Sequence, residues 1–252
     1  MVYFATNIDR KKHCFFGSEG GISTGKYASL NTNLSSQDAR LNIERNFDRI
    51  SAYFDMKKKQ MFTLRQSVSA DVVWADKPSW FSVAADGMAT DNPDILLGIK
   101  TADCAPVLMA DRKHGIIGAA HAGWRGAYKG VVENVLNLML AHGAQKADIA
   151  VAIGPCIQQA SFEVREDMRQ IFLAQSAENA RYFTKHSDII YNFNLQQYLI
   201  DKIHKFGINN VDKSDIDTYA SEGLYFSYRR NTKLNLIEVP RDYPTQFSCI
   251  RL

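Results

Sequence analysis

Short apolar runs, interrupted by Asp, Pro and Gly, dominate the chain between residues 62 and 121. Their apolarity is continuous rather than alternating, which is typical of strands covered on both faces. Residues 149–153 form a similar run that stops at Gly154-Pro155. We therefore predict buried strands at 71–74, 95–99, 107–109, 115–120 and 149–153.

A spacing of three or four residues between apolar positions predicts helices elsewhere in the chain. The first helix is expected to be capped near Ser35 or Ser36 and to present Leu41, Ile43, Phe47, Ile50 and Phe54 on one face. A second begins at Gly130 and stops at Gly143, and two more are predicted at about 163–175 and 194–206. Helices and strands in mixed order, with no linker, indicate a single α/β or α+β domain over residues 1–252, with mixed β-sheet flanked by helices.

Composition and charge narrow the class of protein. Apolar residues make up 46% of the 252 and charged residues 23%, as in ordinary globular proteins. No run reaches the length of a membrane span and no signal peptide is recognisable, so we expect a cytoplasmic protein without a membrane partner. The net charge of +3 is small and scattered, which argues against nucleic acid as a partner.

A cysteine and a histidine provide the first candidate chemistry. The four cysteines form no Cys-x-x-Cys pair, so each is either a buried apolar residue or a reactive thiol. Cys104 follows one apolar run and His121 ends another, and the spacing suits a hairpin that returns His121 to Cys104. Such a pair suits an activated thiolate or two ligands of a zinc site, and a structural role is equally open at this point.

Two neighbouring residues extend this candidate site. Asp103, a candidate catalytic residue, would either orient His121 or hydrogen-bond the turn. Arg125, between Gly123 and Gly126, would present a guanidinium to a phosphate or carboxylate.

The wider motifs resemble the YfiH/laccase-domain family, whose members have been called polyphenol oxidases, purine nucleoside phosphorylases and peptidoglycan editing factors. The resemblance covers about residues 14 to 252, in the order of the family. The matching segments are Gly20–Ser23, Tyr27–Asn31, Thr101–Leu108, His121–Gly126, Ile153–Ile157, Asp217–Tyr219 and Phe226–Arg230.

This resemblance implies a single α/β domain, similar to a toxin-type cysteine hydrolase, with a zinc ion held by a His, a Cys and a second His. Cys104 and His121 match the second and third ligands. Val68 occupies the position of the first, so zinc is expected to bind weakly or not at all. Copper is not expected, because the chain has only six histidines and several copper centres require many. Substrate contacts are expected from Asn31, Arg125, Arg229 and Arg230.

Two further departures from the family pattern lie outside the ligands. An arginine usually stands two positions before the N-terminal glycine pair, where this chain has Ser18. Pro244-Thr245-Gln246 stands where the family usually has Gly-Arg-Gln. Together with Val68, these departures indicate a changed or an impaired activity.

Three hypotheses follow, all for a protein expected to be a monomer. The first is a family-type enzyme that phosphorolyses or deaminates purine nucleosides, with nucleoside and phosphate as its small-molecule partners. The second is a metal-independent cysteine hydrolase or amidase, such as one that edits a peptidoglycan precursor, with Cys104 as nucleophile and His121 as base. The third is a catalytically silent member that binds a nucleoside or a partner.

Overall fold

The apolar runs of the sequence become strands that lie between two apolar layers. The computed structural model describes all 252 residues. Its strands, in chain order, are β1 Val2–Tyr3, β2 His13–Phe16, β3 Met61–Arg65, β4 Val72–Trp74, β5 Ser79–Ala84, β6 Gly87–Thr90, β7 Leu96–Thr101, β8 Ala105–Asp111, β9 Ile116–Ala122, β10 Ile149–Ile153, β11 Glu163–Arg165, β12 Phe183–Lys185, β13 Ile190–Phe193, β14 Val211–Lys213 and β15 Gln246–Ile250. Its α-helices are α1 Arg40–Ala52, α2 Trp124–Lys129, α3 Val131–Ala141, α4 Glu166–Gln175, α5 Leu195–Phe206 and α6 Tyr228–Lys233.

Two six-stranded sheets form the centre of the domain. The first has the strand order β1-β2-β15-β7-β3-β5, and the second has the order β14-β10-β8-β9-β6-β4. Each contains parallel and antiparallel pairs, so both are mixed sheets. A small third sheet, β11-β13-β12, lies in the chain between β10 and β14 of the second sheet.

The core consists of three apolar layers. Side chains of both large sheets, such as Phe62, Leu97 and Leu108, share one buried cluster, so these sheets pack face to face. Helix α1 covers the outer face of the first sheet through Phe47. Helices α3 and α5 cover the outer face of the second, where Val135 lies in a common cluster with strand residues. Strands covered on both faces explain the continuous apolarity of the sequence.

The structure confirms the mixed α/β domain and corrects two boundaries. Helix α1 begins at Arg40, because residues 33–38 form a turn in which the Ser36 hydroxyl donates to the Asn33 carbonyl over 2.7 Å. Leu41 is 56% exposed and does not join the buried face. Residues 163–165 form β11 rather than the first turn of a helix, since they pair with β13. No helix has the length and apolarity needed to cross a lipid bilayer.

Candidate active site

The hairpin of β8 and β9 brings Cys104 and His121 together, as their spacing predicts. The two strands pair antiparallel with Pro106 opposite His121, so the residue just before β8 lies beside the end of β9. The Cys104 side chain lies close enough to the His121 imidazole to raise its pKa. Both side chains line one cleft of about 690 Å³, a volume typical of small-molecule sites.

Gly123 allows this approach, because a Cβ atom at that position would lie 2.9 Å from the Cys104 Sγ. Cys104 is the one cysteine that is not buried; Cys14, Cys156 and Cys249 are fully enclosed. The only free thiol open to the cleft is therefore the one beside His121.

Asp86, which the sequence patterns do not single out, completes this arrangement. It lies just before β6, and its Oδ1 is 2.7 Å from the His121 Nδ1. Its Oδ2 accepts hydrogen bonds from the backbone N–H groups of Ser67, at 3.0 Å, and Ser69, at 2.7 Å. The carboxylate therefore orients the imidazole and holds the 67–69 loop beside it. A thiol, an imidazole and a carboxylate therefore follow one another in the site, and the imidazole is hydrogen-bonded to the carboxylate.

The pKa values of the buried pair move in opposite directions. Burial alone would lower the pKa of His121, but the charge of Cys104 and the hydrogen bond to Asp86 outweigh it and raise the pKa to about 9. Burial alone would raise the pKa of Asp86, but the hydrogen bond and charge of His121 and the N–H groups of Ser69 and Ser67 hold it well below its usual range. Near neutral pH this geometry favours an imidazolium next to a carboxylate.

Asp103 does not face His121. It is buried in a left-handed conformation with a φ of 80°. Its Oδ1 accepts from the Thr218 hydroxyl at 2.7 Å, and its Oδ2 accepts from the Ser227 hydroxyl at 2.9 Å and the Arg229 N–H at 2.6 Å. Of the two roles considered for Asp103, the structure thus shows a structural one: the carboxylate ties the C-terminal segment to the turn before β8.

Of the expected substrate contacts, only Arg125 and Arg229 line the cleft. Arg125 is exposed and stacks on its neighbour, with its guanidinium carbon 4.2 Å from the Trp124 ring centre. The Arg229 Nη1 donates to the Glu163 carbonyl at 2.7 Å, and its guanidinium lies over Phe162.

Arg230 and Asn31 are not among the residues that line the cleft. The Arg230 guanidinium donates to three backbone carbonyls, those of Thr218, Tyr219 and Tyr225. The Asn31 side chain is fully buried, where its amide donates to Ser36 and Asp38 and its carbonyl accepts from the N–H groups of Asn33 and Thr245. Both side chains therefore stabilise the loops that surround the cleft.

Three basic residues that the sequence patterns do not single out also line the cleft: Arg65, Lys100 and Arg241. We call them the cation cluster. None of the three side chains takes part in an ion pair, so no carboxylate oxygen lies within 4 Å of their charged nitrogen atoms. The only carboxylate that lines the cleft belongs to Asp103, which is already hydrogen-bonded. The cleft therefore suits an anion.

Aromatic rings provide the apolar part of the cleft. Tyr228 and Tyr243 pack edge to face with ring centres 4.9 Å apart. Such surfaces bind flat, apolar rings well. The cleft is lined by the rings of Phe81, Trp124, Phe162, Tyr228 and Tyr243.

Comparisons with known proteins agree with this picture. The family model described as multi-copper polyphenol oxidoreductase laccase matches residues 12–235. The chain belongs to the YfiH/laccase-domain family. A purine nucleoside phosphorylase of Rickettsia prowazekii is 31% identical over 210 residues, which cover 83% of this chain and 84% of the relative. The Escherichia coli purine nucleoside phosphorylase YfiH is 31% identical over 212 residues, with 84% and 85% covered.

Solved structures of the YfiH/laccase-domain family share the whole fold. Neisseria meningitidis protein NMB0706 superposes with a TM-score of 0.88 at 26% identity, covering 100% of this chain and 98% of that one. Bacillus licheniformis YfiH superposes with a TM-score of 0.87 at 24% identity, covering 95% and 92%.

The zinc ligands that the family resemblance implies are incomplete in this chain. Val68 lines the cleft with Cys104 and His121, so the position of the missing ligand is where the motif alignment puts it. Valine has no donor atom, and both carboxylate oxygens of Asp86 already accept hydrogen bonds. Two protein ligands fall short of the three that zinc sites normally use. The residues present therefore do not fit the metal.

One other group of ligand-type side chains exists, Asp111, His114 and Asp148. Asp111 is six residues along β8 from Ala105, which corresponds to about 20 Å. Its carboxylate accepts from the N–H groups of His114 and Gln145, and Asp148 pairs with Lys113. These hydrogen bonds explain the cluster as the closure of a turn, away from the cleft.

Proposed function

We propose that this chain is a phosphorylase of purine nucleosides whose proton transfer depends on Cys104, His121 and Asp86 rather than on a metal. The observation that carries the proposal is an imidazole backed by a carboxylate in the same cleft as an unpaired arginine, Arg125. Phosphorolysis needs both features, because an anionic nucleophile must be held and the departing base must be protonated. Relatives named purine nucleoside phosphorylase support the choice of substrate.

The residues of the cleft can carry out each part of the proposed phosphorolysis. The guanidinium of Arg125, assisted by Arg229, holds inorganic phosphate through charge-assisted hydrogen bonds. A phosphate oxygen forms a bond to the ribosyl C1′ while the bond from C1′ to the purine nitrogen breaks. The bonding electrons leave with the base, which takes the proton shared by the His121 Nε2 and the Cys104 Sγ. Asp86 keeps the imidazole oriented and stabilises its positive charge.

The direct test is cleavage of adenosine and inosine by protein treated with a chelator, with and without inorganic phosphate. We expect ribose 1-phosphate and free base only when phosphate is present. His121→Ala and Cys104→Ala should each lower kcat by about 100-fold or more, as is typical when a proton-transfer group is removed. His204→Ala, on the exposed face of α5, is the matched control and should leave kcat unchanged.

A second candidate rests on the order of thiol, imidazole and carboxylate, which is also that of a cysteine hydrolase. In that case Cys104 would attack an acyl carbon and His121 would be the base. Phosphate would then have no effect on the rate, and an acyl-enzyme would accumulate on Cys104. Cleavage of amide substrates without phosphate would favour this candidate over phosphorolysis. A protein that binds adenosine and turns over neither class of substrate would be a silent family member.

A further inference from the structure

The cation cluster has no carboxylate partner on the protein. The side chain of Gln66, the residue after Arg65, donates to the Lys100 carbonyl over 2.8 Å and accepts from the Lys100 N–H over 3.0 Å, so Arg65 and Lys100 lie near the ends of neighbouring strands at the same level. Like charges on adjacent strands destabilise a sheet. Lys100 is also half-buried, and burial together with the charge of Arg241 lowers its pKa. The Lys100 ammonium lies over the Phe81 ring, 5.7 Å from its centre, and no carboxylate pairs with it.

The cation cluster and the arginines assigned to inorganic phosphate line the same cleft but come from different elements. Arg229 and Trp124 also line a neighbouring depression of about 380 Å³, which contains no residue of the cluster. Arg65 and Lys100 belong instead to β3 and β7 of the first sheet. Cys104 and His121 are carried by the turn and strand of the hairpin in the second sheet. The basic residues of the cleft therefore come from separate parts of the fold.

The charge of one phosphate ion does not balance the positive charge of the basic residues in this cleft. Five Lys and Arg side chains line it against a single, already bonded carboxylate. A phosphate group carries a charge of about −1.5 to −2 near neutral pH. Inorganic phosphate at Arg125 and Arg229 would thus leave the cation cluster without a counter-charge and able to bind a second anionic group.

We propose that the cation cluster binds a phosphoryl group of the substrate itself, so that the preferred substrate is a purine nucleoside monophosphate rather than a free nucleoside. This inference rests on the proposed phosphorolysis. The balance of the reaction is unchanged: inorganic phosphate bonds to C1′, the bond to the base breaks, and the base takes the proton. With a 5′-phosphate the sugar product is ribose 1,5-bisphosphate.

Calorimetry in phosphate-free buffer tests the inference with adenosine and adenosine 5′-monophosphate as probes. We expect the monophosphate to bind at least tenfold more tightly, since hydrogen bonds to charged groups are among the strongest in proteins. Arg65→Gln and Lys100→Gln should each remove most of that advantage and leave the affinity for adenosine unchanged. Lys205→Gln, an exposed lysine of α5, is the matched control and should keep the full ratio.

The cation cluster could instead bind inorganic phosphate, which presents the same anionic group. The KM for phosphate in the phosphorolysis assay distinguishes this from binding of the substrate's own phosphoryl group. If Arg65→Gln and Lys100→Gln raise the KM for phosphate but leave the ratio of the two affinities intact, the cluster holds the co-substrate and the inference is overturned. Equal affinities for adenosine and its monophosphate in the wild type would also overturn it. The binding ratio is measured without turnover, so failure of phosphorolysis itself is distinguishable.

Discussion

At the scale of single residues, Asp86 connects the two parts of the candidate site. One of its oxygens fixes the His121 ring, and the other holds the loop that carries Val68. A buried carboxylate with these donors stabilises the imidazolium by charge and the loop by hydrogen bonds. Its removal should therefore affect both proton transfer and the shape of the cleft.

Asp86→Asn should lower the pKa of His121 from about 9, because the charge of Cys104 still raises it but the hydrogen bond and charge of Asp86 are lost. In the wild type a protonated His121 is fully present below pH 6.5 and is lost as the pH rises through about 9, so activity should fall on that alkaline limb. In the variant the limb should move to lower pH. The measurement is the pH dependence of kcat/KM together with an NMR titration of the imidazole.

Asp188→Asn serves as the control for this titration, because that carboxylate is 98% exposed and remote in sequence from the hairpin. If the alkaline limb of the pH dependence does not move in Asp86→Asn, the hydrogen bond between Asp86 and His121 does not control the protonation of His121.

Val68 is a β-branched residue in the left-handed region, with a φ of 62° and 38% exposure. Valine is disfavoured there, whereas histidine adopts this region more readily. Val68→His should therefore fold without loss of stability and add an imidazole beside Cys104 and His121. We expect the wild type to be purified with little zinc and the variant to bind about one equivalent, measured by elemental analysis.

Val68→Gly relieves the same backbone strain without adding a ligand, so it separates the two effects. It should raise stability and leave zinc content unchanged. Stoichiometric zinc in the wild type would contradict the prediction and would mean that another group completes the site.

At the scale of elements, the β8–β9 hairpin was predictable and the partners of its ends were not. Two apolar runs around Gly115 predict an antiparallel pair, which places His121 near Cys104. Asp86 is 35 residues away from His121, and Asp-Gly before a strand is typical of an ordinary turn. Arg65 and Lys100 come together only through the pairing of β3 with β7, which no local pattern contains.

The tie between Asp103 and the C-terminal segment gives a prediction about stability. Asp103→Ala leaves the Thr218 and Ser227 hydroxyls and the Arg229 N–H without their acceptor, at a cost of about 3 kcal/mol of unfolding free energy. Urea unfolding measures this loss. Asp188→Ala, at an exposed position, should change stability by less than about 0.5 kcal/mol.

Asp103→Ala also separates the two carboxylates by role. If Asp103 only anchors the segment, the alkaline limb assigned to His121 should remain in place in whatever folded protein the variant retains. A shift of that limb would show that Asp103 influences the protonation of His121 and therefore belongs to the reacting centre.

At the scale of the whole molecule, the face-to-face packing of the two large sheets brings their ends to one cleft. Cys104 and His121 come from the second sheet, Lys100 and Arg65 from the first, and Arg229 from the segment tied down by Asp103. Site and fold are consequently linked: an anion bound in the cleft bridges elements that separate on unfolding. Binding of an anion should therefore raise the free energy of unfolding.

Inorganic phosphate should accordingly raise the Tm of the wild-type protein. At a phosphate concentration about tenfold above Kd, binding to the folded state alone adds about 1.4 kcal/mol, or roughly 3 to 5 °C for a chain of this length. Arg125→Gln should lose most of the increase, and Lys205→Gln should keep it. Chloride at matched ionic strength controls for screening, which acts on all exposed charges. Equal Tm values in phosphate and chloride would show that the cleft holds no phosphate at these concentrations, and phosphorolysis would then lose its nucleophile site.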